Sequence, residues 1–308
     1  MRLGGYPWVA ASIMTMKKGH IMQSGNAWAL QPLAEMTADE FNDWQSLLET
    51  RSGMVVSEQR RSFLQVNLTA RMRELGVPDY SSYYQQVTDG ACGAVEWVVL
   101  LDRLTVQETQ FFRHTASFEV VTDFLVKKIV NDQDSKPLAL WSVGCASGEE
   151  AWSLAICAAQ AIRTTSKAIE FGVTATDISH NALRKGRRAK YAERRLERVC
   201  PELVERYFTR QPDGLYEVVD YLVKRSCFAR LNMLDLVHAP IFGMDVIFCQ
   251  NVLIYFRRWQ RREILNRLVA RLAPGGMLVI GVGEVAGWQH PDLEPVADER
   301  VLAFTRKG

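Results

Sequence analysis

The hydrophobic pattern divides the chain into two parts, and the first part is typical of helices. Residues 37–131 carry apolar side chains at helical spacing, and the stripe on a predicted helix at 57–75 consists of Leu64, Leu68, Met72 and Leu75. Thr37 and Glu40 have the spacing of a capping box, which marks a helix start. The pattern therefore predicts a small all-helical domain over residues 34–104.

From residue 138 the pattern alternates between short apolar runs and helical stretches. The apolar runs, most of them rich in Val, Ile or Phe, are 138–143, 171–176, 228–231, 244–249 and 277–282. The helical stretches between some of them lie at 149–163, 179–190 and 258–273. Such alternation is typical of a doubly wound α/β domain, which we expect over residues 105–308.

Two segments depart from this pattern. Residues 191–226 interrupt the alternation with a charged helix and with two short runs, 215–219 and 221–225, that follow the turn at 212–214. We expect the two runs to pair with each other in a small inserted β-hairpin subdomain. Residues 1–33 show no regular pattern and are expected to form a flexible tail.

Composition narrows the class of protein. The 308 residues are 48% hydrophobic, and the net charge of +2 gives no reason to expect a polyelectrolyte partner. The six cysteines lack C-x-x-C spacing and the five histidines do not cluster with them, so we expect reduced thiols and no metal site. No apolar run reaches the ~18 residues that a membrane span needs. We therefore expect a cytoplasmic protein that does not insert into a membrane.

The segment 142–155, S-V-G-C-A-S-G-E-E-A-W-S-L-A, has the order strand, glycine-containing turn, helix. Gly144 and Gly148 allow a sharp bend and the close approach of a ligand. Glu149 and Glu150 would repel a pyrophosphate, and they suit a ligand with a cationic amine or hydroxyl groups, such as S-adenosylmethionine (SAM). The structural alternative is that both carboxylates only complement the helix dipole.

Polar residues follow each of the first four predicted strands of the sheet. They are Glu150, Asp177, Asn232 and the pair Gln250 and Asn251. Each residue alone is typical of a helix cap or a turn. In a doubly wound sheet, however, ligands bind outside the carboxyl ends of the strands. The set therefore predicts one ligand site, with Asp177 as the acceptor for ribose hydroxyls.

Three sequence blocks resemble the chemotaxis receptor methyltransferases of the CheR type. They are T-V-Q-E-T-Q-F-F-R at 105–113, G-C-A-S-G-E-E at 144–150 with T-D-I at 176–178, and F-C-Q-N-V-L-I-Y-F at 248–256 followed by L-A-P-G-G at 272–276. Their order and separation match the family over roughly residues 37–306. The chain has an extra N-terminal tail, and in this respect it resembles a divergent branch of the family, such as the one that serves type IV pilus chemosensory systems.

The resemblance implies a Rossmann-like SAM-dependent methyltransferase that converts glutamate side chains to 5-O-methyl esters and releases S-adenosylhomocysteine. The residues that it places at the cofactor are Gln107, Thr109, Arg113, Gly144, Glu150, Asp177, Asn232, Gln250 and Asn251. Catalytic roles fall to Arg113 and to Tyr255, which is expected to face the sulfonium and the acceptor. Gln107 and Gln250 depart from the family, which has Asn and Arg at these positions.

The resemblance also implies the cytoplasmic domain of a membrane chemoreceptor as partner, and we expect a monomer. The family contacts its receptor with a basic N-terminal helix, of which Arg60, Arg61, Arg71 and Arg73 remain here. On an ideal helix Arg60, Asn67 and Arg71 share one edge beside the apolar stripe. That edge is expected to be available to an acidic receptor surface, although the arginines could also be merely solvated.

The reaction itself can be argued from chemistry. A glutamate carboxylate has a pKa of about 4.3 and is ionised at neutral pH, so its methylation needs no general base. It needs a cation that orients the carboxylate, and the guanidinium of Arg113 suits this role. The structural alternatives are a surface ion pair for Arg113 and a core aromatic with a satisfied hydroxyl for Tyr255.

Two other functions fit parts of the sequence. Basic clusters at 183–198 and 257–262 could follow a nucleic-acid phosphate backbone, or they could be solvated helical faces or docking sites for an acidic protein. The net charge of +2, and the absence of a proline-rich turn after Asn251, argue against nucleic-acid methylation. A non-catalytic SAM-binding scaffold is the third alternative, and the presence of both Arg113 and Tyr255 argues against it.

Overall fold

The computed structural model describes residues 35–131 and 136–308, so the expected tail at 1–33 lies outside the described residues. The first part of the described chain is a helical bundle. Its helices are α1 (Ala38–Ser52), α2 (Arg61–Leu75), α3 (Tyr80–Thr88) and α4 (Gly90–Leu104). The capping box at the start of α1 is confirmed, since Thr37 Oγ1 accepts from Glu40 N at 3.2 Å and Glu40 Oε2 accepts from Thr37 N at 2.8 Å.

The bundle encloses both an apolar core and one charged cluster. Trp44, Leu64, Leu68 and Met72 are almost fully buried, so the predicted stripe of α2 faces the core except at the exposed Leu75. Glu96 of α4 is 8% exposed and accepts from Arg71 Nε at 2.8 Å and from Arg71 Nη2 at 2.7 Å. Tyr83 Oη donates to the same carboxylate at 2.7 Å.

The second part is built on a seven-stranded sheet. In chain order its strands are β1 (Leu138–Val143), β2 (Phe171–Asp177), β6 (Ser226–Arg230), β7 (Met244–Cys249), β8 (Leu272–Ile280), β9 (Leu293–Pro295) and β10 (Leu302–Arg306). The spatial order is β6-β2-β1-β7-β8-β10-β9; neighbours from β6 to β8 are parallel, and β10 and β9 are antiparallel to their neighbours. This confirms the doubly wound α/β fold.

The longer helices of this part are α5 (Thr115–Asn131), α6 (Glu149–Thr165), α7 (His180–Arg188) and α10 (Arg258–Val269). The buried side chains of the sheet fall into two apolar clusters, one that includes α5 and α6 and one that includes α10. The chain leaves β1 for β2 on one side and returns to β7 on the other, with Ser142 paired to both Ala175 and Phe248. Strand order therefore reverses at β1, where such sheets bind ligands.

The inserted subdomain is a separate three-stranded sheet. It consists of β3 (Lys190–Ala192), β4 (Phe208–Arg210) and β5 (Leu215–Val218) in the order β3-β5-β4, with helix α8 (Pro201–Tyr207) before β4. The predicted pairing of 215–219 with 221–225 is wrong. The turn joins β5 to β4, the strand that precedes it, and Asp220–Val223 forms a short helix, α9, that buries Leu222.

The helical bundle contacts the sheet domain beside the carboxyl ends of the strands. Asn232 Nδ2 donates to Arg51 O at 2.9 Å, and Val55 N donates to Tyr255 O at 2.8 Å. Ser179 Oγ donates to Asp102 Oδ1 at 2.6 Å. These bonds place the end of α1 and the segment that follows it next to the ends of β6 and β7. Within the described ranges, no helix is both long and apolar enough to cross a bilayer.

Candidate active site

A cavity of about 290 Å³ lies at the carboxyl ends of β1, β2, β6 and β7. It is lined by every residue that the sequence predicted at the cofactor or at the reaction: Gln107, Thr109, Arg113, Gly144, Glu150, Asp177, Asn232, Gln250, Asn251 and Tyr255. The strand ends therefore do meet in one place, and the segment 105–110 and the end of α1 close the cavity from the side of the helical bundle.

The turn after β1 has room only for glycine at its first position. Gly144 has φ +76°, and a Cβ there would lie 2.2 Å from Val252 Cγ2. The backbone of this turn consequently touches the 251–255 segment after β7. Asn251 itself has φ +61°, a left-handed conformation that Asn tolerates better than most residues. Residues of both turns line the cavity.

The two neighbouring glutamates of the turn have different surroundings. Glu150 lines the cavity and accepts from Ser142 Oγ at 2.7 Å. Burial raises the pKa of Glu150 to about 8; the negative charge of Glu284 adds to the shift, and the bond from Ser142 opposes it. Glu149 is fully buried outside the cavity, where Ser147 Oγ donates to it at 2.7 Å and Arg195 Nη2 lies 3.6 Å away.

Asp177 is the last residue of β2, and its carboxylate accepts hydrogen bonds from the backbone of two turns. Oδ2 accepts from Ala146 N at 2.9 Å and Oδ1 accepts from Ser179 N at 2.8 Å. Burial raises the pKa of Asp177, and these backbone hydrogen bonds oppose the shift. A carboxylate has about four lone-pair sites, so acceptor capacity remains for the hydroxyl groups of a ligand.

Three of the amide side chains that line the cavity already make hydrogen bonds within the protein. Asn232 Oδ1 accepts from Leu234 N at 3.1 Å, in addition to the Nδ2 bond to the helical bundle. Gln250 Nε2 donates to Ser117 Oγ at 2.9 Å, and Gln107 Nε2 donates to Ser179 Oγ at 2.9 Å. Their cofactor contacts stay predictions, and the structure shows them bracing the cavity wall.

The sequence reasoning missed Glu284. This residue follows β8 and is 4% exposed; it accepts from Asn251 N and from Gly281 N, both at 3.0 Å. Burial raises the pKa of Glu284 and these backbone bonds oppose the shift. The carboxyl group thereby fixes the turn that carries Tyr255. A signal was present, because β8 ends at the same edge of the sheet and a polar residue follows it within a few positions.

The far end of the cavity carries an aromatic hydroxyl and two cations. Burial raises the pKa of the half-buried Tyr255, and the positive charges of Arg60 and Arg113 oppose this shift. Arg113 is exposed and Nη1 donates to Glu108 O at 2.9 Å. Its other guanidinium nitrogens make no hydrogen bond within the described residues, so they can receive an anion.

The four arginines predicted at the receptor occupy four different environments. Arg60 lines the cavity. Arg61 donates to Glu58 at 2.9 Å and lies over the Phe41 ring, 5.5 Å from its centroid. Arg71 lies in the charged cluster of the bundle, and Arg73 is exposed away from the cavity. Arg60 alone among them is at the site, and receptor contacts by the others stay predictions.

Two family models match the chain. The all-alpha domain of CheR methyltransferases matches residues 39–105, and the CheR methyltransferase SAM binding domain matches residues 107–302. The chain belongs to the CheR methyltransferase family. This family membership identifies the enzyme as a SAM-dependent methyltransferase, and it leaves the type IV pilus branch a prediction.

Relatives of this CheR-family enzyme span most of its length. Chemotaxis protein methyltransferase 1 of Pseudomonas aeruginosa is 31% identical over 248 residues, 80% of this chain and 89% of the relative. The chemotaxis protein methyltransferase of Escherichia coli is 31% identical over 241 residues, 77% of this chain and 81% of the relative. SAM-bound magnesium protoporphyrin IX methyltransferase of Synechocystis is a distant structural neighbour, with 15% identity, coverage of 73% and 89%, and a TM-score of 0.35.

The chemistry of the cavity fits SAM. The carboxyl groups of Glu150 and Asp177 suit an ammonium group and ribose hydroxyls, and the Gly144 turn allows close approach of a ligand to the backbone. When bound, SAM supplies an electrophilic methyl group. The described residues contain no cluster of His, Cys, Asp and Glu that could hold a metal ion.

Proposed function

We propose that this enzyme methylates glutamate side chains on the cytoplasmic helical bundle of a membrane chemoreceptor, as a cytoplasmic monomer. Each reaction forms a glutamate 5-O-methyl ester and serves sensory adaptation. Family membership and the two chemotaxis methyltransferase relatives support the substrate class. The residues that line the cavity support the nature of the acceptor.

The observation that carries the proposal is the set of titratable groups in the cavity. The described residues that line it include no His, Lys or Cys, and two arginines lie beside Tyr255. Of its three carboxyl groups, Glu108 is exposed, and Glu150 and Asp177 are the proposed contacts of SAM. A hydroxyl or amine acceptor would need a base to remove its proton, but a carboxylate is already ionised. The lining therefore favours an acceptor that is an anion before it enters.

Arg113 is the residue best placed to orient that anion. Its free N–H groups form a planar fork that matches a carboxylate, and a guanidinium does not protonate its partner at neutral pH. The half-buried Tyr255 offers a hydroxyl donor on the same side. Positioning and exclusion of water are then the main contributions of the protein to the rate.

Methylation would act on the receptor through charge. Each ester removes one negative charge and relieves repulsion between neighbouring carboxylates, worth a few tenths of a kcal/mol for an exposed helical pair. Several such sites on one bundle can bias a receptor that has two states of similar free energy. This links the anion chemistry of the cavity to adaptation.

Transfer of labelled methyl groups from SAM to a purified receptor cytoplasmic domain tests the proposal. We expect alkali-labile carboxyl esters on the receptor. Arg113→Ala should lower the rate by about two orders of magnitude and change SAM affinity much less, because the guanidinium orients the acceptor. Arg113→Lys should rescue poorly, since an ammonium lacks the planar fork.

The control is Arg262→Ala, because Arg262 is exposed on α10, outside the cavity, and makes no ion pair within the described residues. Label in RNA or DNA instead of receptor would contradict the proposal and favour the nucleic-acid alternative. SAM binding with no transfer to any receptor would favour the scaffold alternative.

A further inference from the structure

A groove of about 310 Å³ opens beside the part of the cavity that contains Arg113. Its lining residues are Glu108, Thr109, Gln110, Arg113, Arg194, Arg195, Glu197 and Arg198. The first four of these also line the cavity. A molecule that places one group against Arg113 can therefore extend directly into this groove, which we call the arginine groove.

One arginine of the groove is held in place by the protein. Arg195 Nη1 donates to Thr109 O at 2.8 Å, and Nη2 lies 3.6 Å from Glu149 Oε1. That oxygen is fully buried and has no hydrogen-bond partner among the described residues, where the guanidinium of Arg195 is the cation paired with it. Arg195 thereby joins the inserted subdomain to the segment that carries Arg113.

Two other arginines of the groove are free to meet a partner. Arg194 and Arg198 are exposed, and neither makes a hydrogen bond or an ion pair within the described residues. Together with Arg113 and Arg195 they outnumber the two acidic residues of the lining, Glu108 and Glu197. The groove therefore presents a net positive charge beside the active site.

The walls of the groove are anchored on both sides. Leu196 and Val199, next to its arginines, are buried at 4% and 5% exposure. Across the groove, Phe111 packs edge-on against Tyr191 at 4.9 Å and against Phe208 at 5.3 Å between ring centroids. Both walls are thus fixed to the subdomain core, and the arginine backbones need no reordering when a partner binds.

We propose that the arginine groove binds an acidic stretch of the substrate helix, next to the glutamate that is methylated. The inference rests on the proposed function, because a bundle with several acceptor glutamates carries carboxylates beside the one in the cavity. Guanidinium forks suit separate carboxylates. Glu108 and Glu197 interrupt the positive lining, which disfavours a continuous phosphate backbone.

The test is the double variant Arg194→Gln/Arg198→Gln, assayed with the receptor domain. We expect KM for the receptor to rise about tenfold at low ionic strength and by less at high ionic strength, because exposed charges are screened by salt. The rate at saturating receptor and the affinity for SAM should stay unchanged, since neither residue lines the cavity.

The matched control is Arg258→Gln/Arg262→Gln. It removes the same charge from exposed arginines of α10 that make no ion pair within the part of the chain that the structure describes. Equal KM values for the two double variants would overturn the inference. So would loss of RNA or DNA oligonucleotide binding in the first variant with receptor KM unchanged. A parent enzyme that methylates no receptor would instead refute the proposed function.

Discussion

Glu96 in the helical bundle and Glu150 in the cavity are both shielded from water, but their pKa values are shifted in opposite directions. In the helical bundle, burial alone would raise the pKa of Glu96, but hydrogen bonds from Arg71 and Tyr83 outweigh it and lower the pKa. In the cavity, burial raises the pKa of Glu150 to about 8, because the hydrogen bond from Ser142 and the charge of Arg113 offset the effect of burial only in part.

The difference shows which charges serve the fold and which serve a ligand. Glu96 has its counter-charge within the chain, so its ion pair is complete as soon as the bundle folds. Within the part of the chain that the structure describes, no cation contacts the carboxyl group of Glu150, and a cationic ligand would supply the missing positive charge. A buried carboxyl group with a raised pKa, such as Glu150, is typical of a binding site. A buried carboxyl group that is paired with a cation, such as Glu96, is typical of a structural ion pair.

Removal of Arg71 gives the largest expected change in stability. Arg71→Ala leaves Glu96 enclosed without its cation, and we expect a loss of about 2–3 kcal/mol in the free energy of unfolding, since Arg71 keeps some contact with water. SAM affinity should be unchanged. Chemical denaturation and titration calorimetry measure both quantities.

Arg103→Ala is the comparison for that variant, because among the described residues Arg103 pairs with the more exposed Glu74 and should matter little for stability. Equal stability of Arg71→Ala and the parent would break the contrast between the domains. It would also leave receptor contact as the main role predicted for Arg71.

Removal of the Asp177 carboxylate should weaken ligand binding and leave the fold intact. Asp177→Ala is expected to weaken SAM binding by about 1.5–3 kcal/mol, through loss of charge-assisted hydrogen bonds to ribose hydroxyls. The fold should survive because the residue ends a strand and its side chain faces the cavity. A lower melting temperature with unchanged SAM affinity would make Asp177 a structural cap.

The pKa of Glu150 predicts a pH dependence of SAM binding. The carboxyl group is mostly protonated below its raised pKa of about 8, and a cationic ligand binds the deprotonated form. Affinity should therefore rise about tenfold between about pH 6 and about pH 7, with a proton released on binding. Calorimetry in buffers of different ionisation enthalpy measures this proton. Glu150→Gln should remove the dependence, and a parent with pH-independent affinity would contradict the assignment.

The smallest expected effect concerns Arg60, an exposed arginine in the lining of the cavity. Arg60→Glu should slow receptor methylation a few-fold at low ionic strength and less in high salt, since a rim charge mainly speeds encounter. SAM affinity should not change. Steady-state rates at two salt concentrations measure the effect. Arg73→Glu, away from the cavity, is the comparison, and equal slowing by both would assign the contact to the whole helix face.

Sequence periodicity was enough for most of the elements, and the polar residues at the predicted strand ends indicated where the cavity lies. The runs Leu138–Val143 and Met244–Cys249 are strands at the predicted bounds, and the capping box begins α1 as predicted. These features depend on neighbours within a few residues. The cavity also followed, because parallel strands bring their carboxyl ends to one edge whatever their order.

Tertiary contacts decided the use of individual charged residues. Arg60 and Arg71 share one edge on an ideal helix, but Arg60 lies in the 3-10 turn Glu58–Arg60 before α2, and Arg71 binds Glu96, 25 positions away. Glu284 reaches Asn251 across 33 positions. Periodicity reports the environment along one element, whereas the partner of a charge is set by segments that meet only when the chain has folded.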